Sequence, residues 1–319
     1  MSLTVHPPYD SYELLDVLLP EEELSIPVAP QGTNISYAGP IALNEVVLAV
    51  EALRDSGRGV AEHVYEEIIQ RAQKETPSSL HIIDGSCPTF VQFPEQDFVL
   101  SPLPCPGEVG AYISLCLCKD VHVMVSVHEF SDAKRGGFGC SKFWDQSILS
   151  KLNLGGWTIQ VQSSSVFARG TQVNSKREIP QIVETTMFAT STQGETRIMT
   201  HLHYEGWPDL HVAPDELLLR QLLDRVRELS PDPRKPIAIN CLAGMWRTFN
   251  VAAAYFLRRK IEEARQRRED MALYQVDLCE TLFEFRKQRY LPLPLLQRRY
   301  LIGLYTQILS VTSDYRVES

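Results

Sequence analysis

The chain has 319 residues, 44% of them apolar, and a formal net charge of −9. That length and apolar share suffice for one large core, while the acidic balance speaks against nucleic acid as the main partner. No apolar run reaches the roughly 18 residues of a membrane span, and Met1 to Pro8 offer neither the basic nor the apolar block of a signal peptide, so a cytoplasmic protein is expected.

Residues 1–38 are rich in Pro and Glu (Glu21 to Glu23, Pro27, Pro30) and lack periodicity, which predicts an extended arm or tail. Residues 39–319 are expected to form a single domain. Residues 40–75 read as two helices broken at Gly57-Arg58-Gly59. The first places Val46, Val50 and Leu53 on one face, and the second does so with Val60, Val64 and Ile68. From residue 95 onward strands alternate with helices. Strands are predicted over 157–162, 182–190, 197–204 and 236–240, and helices over 216–229, 248–270, 273–289 and 294–309, an α/β pattern. Seven cysteines, odd in number and scattered, fit reduced thiols rather than a disulfide framework. Cys116-Leu117-Cys118 is too close for ordinary zinc spacing and reads as packing thiols. The mixed charges of Arg258-Arg259-Lys260 and of Arg265 to Glu269 read as a solvated helix face.

The segment Asn240-Cys241-Leu242-Ala243-Gly244-Met245-Trp246-Arg247-Thr248 lies between a short apolar strand and a helix-like stretch. A tight strand-to-helix turn gathers loop amides and the positive helix end at one point, which binds a dianion and favours a thiolate. A thiolate beside such amides and a guanidinium is equipped to attack a phosphate ester, with Arg247 holding two phosphate oxygens in its planar fork. Thr248 offers a hydroxyl close to the sulfur. A Cys-x5-Arg spacing is common by chance, so its weight comes from context. Upstream, Glu195-Thr196-Arg197 opens a predicted strand ending in His201-Leu202-His203-Tyr204, followed by Trp207-Pro208-Asp209 and a helix start near Asp215. Alone, Asp209 reads as a turn former or helix cap and Trp207 as a core anchor.

Together these stretches resemble the phosphotyrosine-specific branch of the protein tyrosine phosphatases. The likeness rests on Glu195-Thr196-Arg197, His201-Leu202-His203-Tyr204, Trp207-Pro208-Asp209, the Cys241 to Thr248 loop and the 31 residues between Asp209 and Cys241. Val121 to Val127, Cys140-Ser141-Lys142-Phe143-Trp144, Phe98 to Pro104 and Arg286 to Arg289 echo further family segments in order, over roughly residues 95 to 310. The resemblance implies a twisted mixed β-sheet flanked by helices in one domain, and no metal or other cofactor. It implies Cys241 as nucleophile, Asp209 as general acid and base, Arg247 as phosphate binder and Thr248 as an aid to thiolate departure. Leu242, Ala243, Gly244, Met245 and Trp246 would line the phosphate site, with Trp207, Asn240 and Gln297 in support. His201 and His203 would be packing and loop-support residues rather than metal ligands, and an acidic residue behind Arg247 is expected at Glu129 or Asp132.

The chain departs from the family pattern at several positions. Asn240 stands where the family has His, Trp246 where it has a small residue, and Phe249 where it has Gly. Gln297 sits about one turn late for positioning water, and no substrate-stacking tyrosine is identifiable, Asn34-Ile35-Ser36-Tyr37 being only superficially similar. The resemblance implies phosphotyrosine-containing proteins as partners. The departures leave two alternatives: a pseudophosphatase that binds phosphorylated partners without turnover, or a phosphatase of broader specificity toward phosphoinositides or phosphoserine. The unfamiliar N-terminus is also compatible with a bacterial effector acting in a host cytoplasm.

Overall fold

The computed structural model describes residues 39–55, 64–70, 88–105, 107–129, 151–154, 156–171, 179–209, 211–271, 274–289 and 298–312. The expected N-terminal arm, the Gly57-Arg58-Gly59 break, Cys140 to Trp144, Asp132 and Gln297 lie outside these residues.

The chain begins with β1 (Ile41–Ala42), a 3-10 turn (Leu43–Glu45) and α1 (Val46–Asp55). Val46, Ala49, Val50 and Leu53 are all buried, the i, i+3, i+4, i+7 stripe of an amphipathic helix. Residues 64–70 form α2, which buries Val64 and Ile68. Then follow β2 (Thr89–Val91), β3 (Phe98–Pro102), α3 (Val109–Cys118), β4 (Val123–His128), β5 (Lys151–Leu154), β6 (Trp157–Arg169), β7 (Gln181–Ser191) and β8 (Thr196–Glu205). The remainder is α4 (Glu216–Leu229), β9 (Ile237–Cys241), α5 (Trp246–Gln266), β10 (Gln275–Val276), α6 (Leu278–Gln288) and α7 (Arg298–Thr312).

The strands form an eight-stranded mixed sheet in the order β2-β3-β9-β4-β8-β7-β6-β5, giving the expected α/β domain with helices on both faces. Pairings β3–β9, β9–β4 and β4–β8 are parallel, and the flanking ones are antiparallel. β4 and β9 are buried at every position, as parallel strands covered on both faces must be.

The alternation of side chains decides which layer each residue enters. Ile237, Ile239 and Cys241 join the large apolar cluster built with α1, α4, α5, α6 and α7. Ala238 faces the smaller cluster built with α3, and Asn240 reaches the same side. Each fully buried Val, Leu, Ile or Phe in these layers contributes about 1.5–3 kcal/mol.

Three expectations are corrected. The helix expected over 273–289 begins at Leu278, because Gln275 and Val276 pair antiparallel with Ala42 and Ile41. Asp277 then caps the helix by accepting from the Glu280 amide at 2.8 Å. Arg258 and Arg259 are buried rather than solvated, paired with Asp224 and with Glu262 and Glu263 respectively. The strand predicted over 157–162 continues to Arg169, with β7 beside it throughout. Among the described residues no helix is long and apolar enough to cross a membrane.

Candidate active site

β9 ends at Cys241, opposite Pro102 of β3 and Val127 of β4. Its sulfur-bearing residue therefore sits at the carboxyl ends of three adjacent parallel strands, where open α/β sheets leave a crevice for ligands. The chain turns there without an extended linker. The Gly244 amide donates back to the Cys241 carbonyl at 3.2 Å, and the Phe249 amide donates to the Met245 carbonyl at 2.8 Å as α5 starts. Leu242, Ala243 and Met245 are half-buried along this turn, whereas Cys241 is only 2% exposed.

The tightness of the turn has a steric cause at Gly244. Its φ is +64°, a region that favours glycine, and a Cβ there would stand 2.2 Å from the Pro102 nitrogen. The loop thus lies directly on the backbone of β3, and the Leu103 amide fixes the junction by donating to the Cys241 carbonyl at 2.8 Å. From below, Arg289 donates to the Gly244 carbonyl at 3.1 Å, to the Leu100 carbonyl at 3.0 Å and to the Thr89 hydroxyl at 2.7 Å. Arg289 is buried, so one guanidinium ties β2, β3 and the loop together. It was legible only as part of the Arg286 to Arg289 echo.

Arg247, in the first turn of α5, is 1% exposed. It donates to the Trp207 carbonyl at 2.9 Å and lies 3.3 Å from an Asp209 carboxylate oxygen. These contacts bring the two sequence motifs together. The Trp207 indole is fully buried and donates to the His211 carbonyl at 2.7 Å, and the His211 ring donates to the Asp209 carbonyl at 2.7 Å. Asp209 itself remains partly exposed, its side chain 40% accessible. The start of this loop hangs from the last residue of β4: the His128 carbonyl accepts the Gly206 amide at 2.9 Å and the Trp207 amide at 3.1 Å.

Behind Cys241, the Asn240 amide donates to the Tyr112 hydroxyl at 3.1 Å. Burial pushes the Tyr112 phenol well above its ordinary value, with the neighbouring Cys116 adding to the shift, and burial pushes the Cys116 thiol up to about 12. Cys116 is therefore a neutral packing thiol as expected, whereas Cys118 is exposed and corrects that expectation. Tyr112 carries no local sequence signal for this role, since its partner is far away in the chain. The Thr248 hydroxyl is buried and has no hydrogen-bond partner among the described residues.

Two other departures find places in the core. Trp246 belongs to the large apolar cluster and is nine-tenths buried. Phe249 packs edge-on against Phe285 of α6, their rings 5.8 Å apart. His201 and His203 are spoken for by protein partners: His201 pairs with the Ser126 hydroxyl at 2.7 Å, and His203 lies between His128 at 3.1 Å and Glu205 at 3.2 Å. Glu129 directly follows β4, while Asp132 and Gln297 lie outside the described residues.

A buried guanidinium, a cysteine and a loop of amides at a helix start are groups able to hold an anion. A carboxylate on an adjoining loop adds a group able to move a proton. The family model for protein-tyrosine phosphatase matches residues 67–293. The chain is 25% identical over 190 residues to Tyrosine-protein phosphatase 1 of Dictyostelium discoideum, covering 56% of this chain and 34% of that protein. It is 28% identical over 131 residues to Protein-tyrosine-phosphatase PTP1 of Arabidopsis thaliana (41% and 32%). It is 30% identical over 115 residues to Tyrosine-protein phosphatase non-receptor type 2 of Homo sapiens (34% and 24%). The matched part spans between 24% and 34% of these relatives' length. With well over half of its residues matching the family and both motifs meeting at one crevice, the chain belongs to the protein-tyrosine phosphatase family.

Proposed function

We propose that this protein hydrolyses phosphotyrosine in proteins through a cysteinyl-phosphate intermediate. The observation that carries the reading is the double contact of Arg247, which meets both the Trp207 carbonyl and the Asp209 carboxylate from a buried position six residues after Cys241. In the first step the Cys241 sulfur attacks phosphorus, the bond to the phenolic oxygen breaks, and Asp209 gives its proton to that oxygen. Arg247 and the amides from Leu242 to Arg247 balance charge on the three equatorial oxygens. In the second step water attacks phosphorus, Asp209 takes its proton, and the sulfur–phosphorus bond breaks to regenerate the thiolate. Thr248 lies next along the helix to assist that departure.

Steady hydrolysis of para-nitrophenyl phosphate is expected, abolished by Cys241→Ser and slowed by about 10²–10⁴-fold in Asp209→Ala. Absence of turnover by the unmodified protein would sink the enzyme reading. A panel of phosphopeptides is expected to show preference for phosphotyrosine, and equal rates on phosphoserine would remove the tyrosine claim.

A further inference from the structure

We propose that Gln307, on α7 and remote in sequence from both motifs, is a positioning residue that sets the loop carrying Asp209. This rests on the catalytic reading of that loop. Its side-chain amide matches the backbone of Ala213 in both directions: Nε2 donates to the Ala213 carbonyl at 2.9 Å, and Oε1 accepts the Ala213 amide at 2.8 Å. Ala213 follows Asp209 by four residues and closes the loop just before α4 is capped by Asp215. Both Gln307 and Ala213 are buried, so each of these bonds is made where water cannot replace it.

The same Oε1 accepts a third bond, from the Asn250 amide at 3.2 Å. Asn250 is fully buried on α5, three residues after Arg247. One side chain is therefore shared by the end of the acid loop and by the helix that grows out of the phosphate loop. The chain also runs close here: a Cβ on Gly303 of α7 would lie 3.0 Å from Val212 Cγ1. The opposite end of the loop is fixed by the His128 carbonyl, so Gln307 supplies the second of two anchors, with Asp209 suspended between them over Arg247.

The chemistry selects the residue type. Only a planar amide of this length offers a donor and an acceptor side by side to a peptide group. Glutamate keeps the acceptor and loses the donor, and methionine loses both while preserving volume. A general acid misplaced by about 1 Å can cost on the order of 10²-fold in rate, so the loss should appear where the acid matters. Expulsion of a poor leaving group needs the proton from Asp209, whereas 2,4-dinitrophenolate departs without it.

The test is Gln307→Met and Gln307→Glu in the full chain, assayed on phenyl phosphate and on 2,4-dinitrophenyl phosphate, with hydrogen exchange followed over residues 206–216. The expected result is a kcat/KM, which reads only the steps through formation of the cysteinyl phosphate, lower by about 10-fold or more on phenyl phosphate. On the dinitrophenyl ester kcat/KM should stay near the parental value, as should competitive inhibition by inorganic phosphate, with faster exchange in the loop. Asn250→Ala, which removes a single bond, should shift both readouts the same way by less, and it serves if the Gln307 variants do not fold. Equal loss of kcat/KM on both esters, or loop exchange at the parental rate, overturns the proposal. Should the parent not turn over aryl phosphates, the catalytic reading fails on its own, and the exchange measurement still decides whether Gln307 holds the loop.

Discussion

The loop from Cys241 to Arg247 is held against β3 at Cys241 and Gly244, whereas the loop from Trp207 to Ala213 is held at its ends and leaves Asp209 partly in solvent. The first rests on β3 through the glycine contact at Pro102, the Leu103 amide and the Arg289 guanidinium. The second hangs from the His128 carbonyl and the Gln307 amide, with its interior braced by Trp207 and His211. The difference matches two chemical demands. An anion cradle works best when its dipoles are set before the substrate arrives. A proton donor must meet a bulky leaving group that enters and departs, which favours suspension over burial.

Breaking the rigid loop should have the largest effect. Gly244→Ala forces a side chain into the backbone of Ser101 and Pro102 at a positive φ. It should cost about 3–5 kcal/mol, read as a lower urea midpoint together with loss of phosphate inhibition. Next, Arg289→Met strands the Gly244 and Leu100 carbonyls in a buried setting. About 1.5–3 kcal/mol of stability should disappear, with the acid-dependent ratio between phenyl and dinitrophenyl esters unchanged; a changed ratio would mean that the two loops are not separately supported. Trp207→Phe removes the bond to the His211 carbonyl from the suspended loop while keeping most of the apolar volume. Here about 1 kcal/mol of stability is expected to go, and the ester ratio should move, the reverse of the Arg289 result.

At neutral pH the smallest effect comes from the strand that leads into the suspended loop, where stability depends on pH. Burial, reinforced by His203, holds His201 well below the ordinary histidine range, so it stays neutral in the folded protein. The unfolded chain takes up a proton below about pH 6.5 that the native state refuses. The contribution is therefore present above that pH and is lost as pH falls through it, at up to about 1.4 kcal/mol per pH unit. His201→Gln should flatten this acid limb in urea titrations at successive pH values, and an unchanged limb would assign it to other groups.

What the sequence discloses and what it hides divide by range. The apolar stripe of α1, the Asp215 cap of α4 and the full burial of β9 follow from local spacing, and the structure reproduces them. Cys241, Arg247, Trp207 and Asp209 were recognisable because each sits in a short motif. Arg289 was visible only within the Arg286 to Arg289 echo, and Tyr112 and Gln307 were not visible at all, since each acts on a partner more than 40 positions away and nothing near them in sequence requires it. Arg258 misleads because its partner Asp224 lies on another helix, whereas Arg259 pairs locally with Glu262 and Glu263 and is hidden by the packing of α5. The helix expected from residue 273 starts late because β10 is claimed by β1, at the other end of the described chain.

The place of β9 in the sheet bears on how the protein is made. It fits between β3 and β4, both of which precede it by more than a hundred residues. While the ribosome is still delivering the middle of the chain, those two strands exist without the one that joins them, and each presents an unsatisfied edge. Cys241, the nucleophile of the proposed mechanism, arrives on the joining strand itself. Assembly of the sheet and assembly of the anion cradle are consequently one late, long-range event, and a nascent chain halted before Cys241 carries neither.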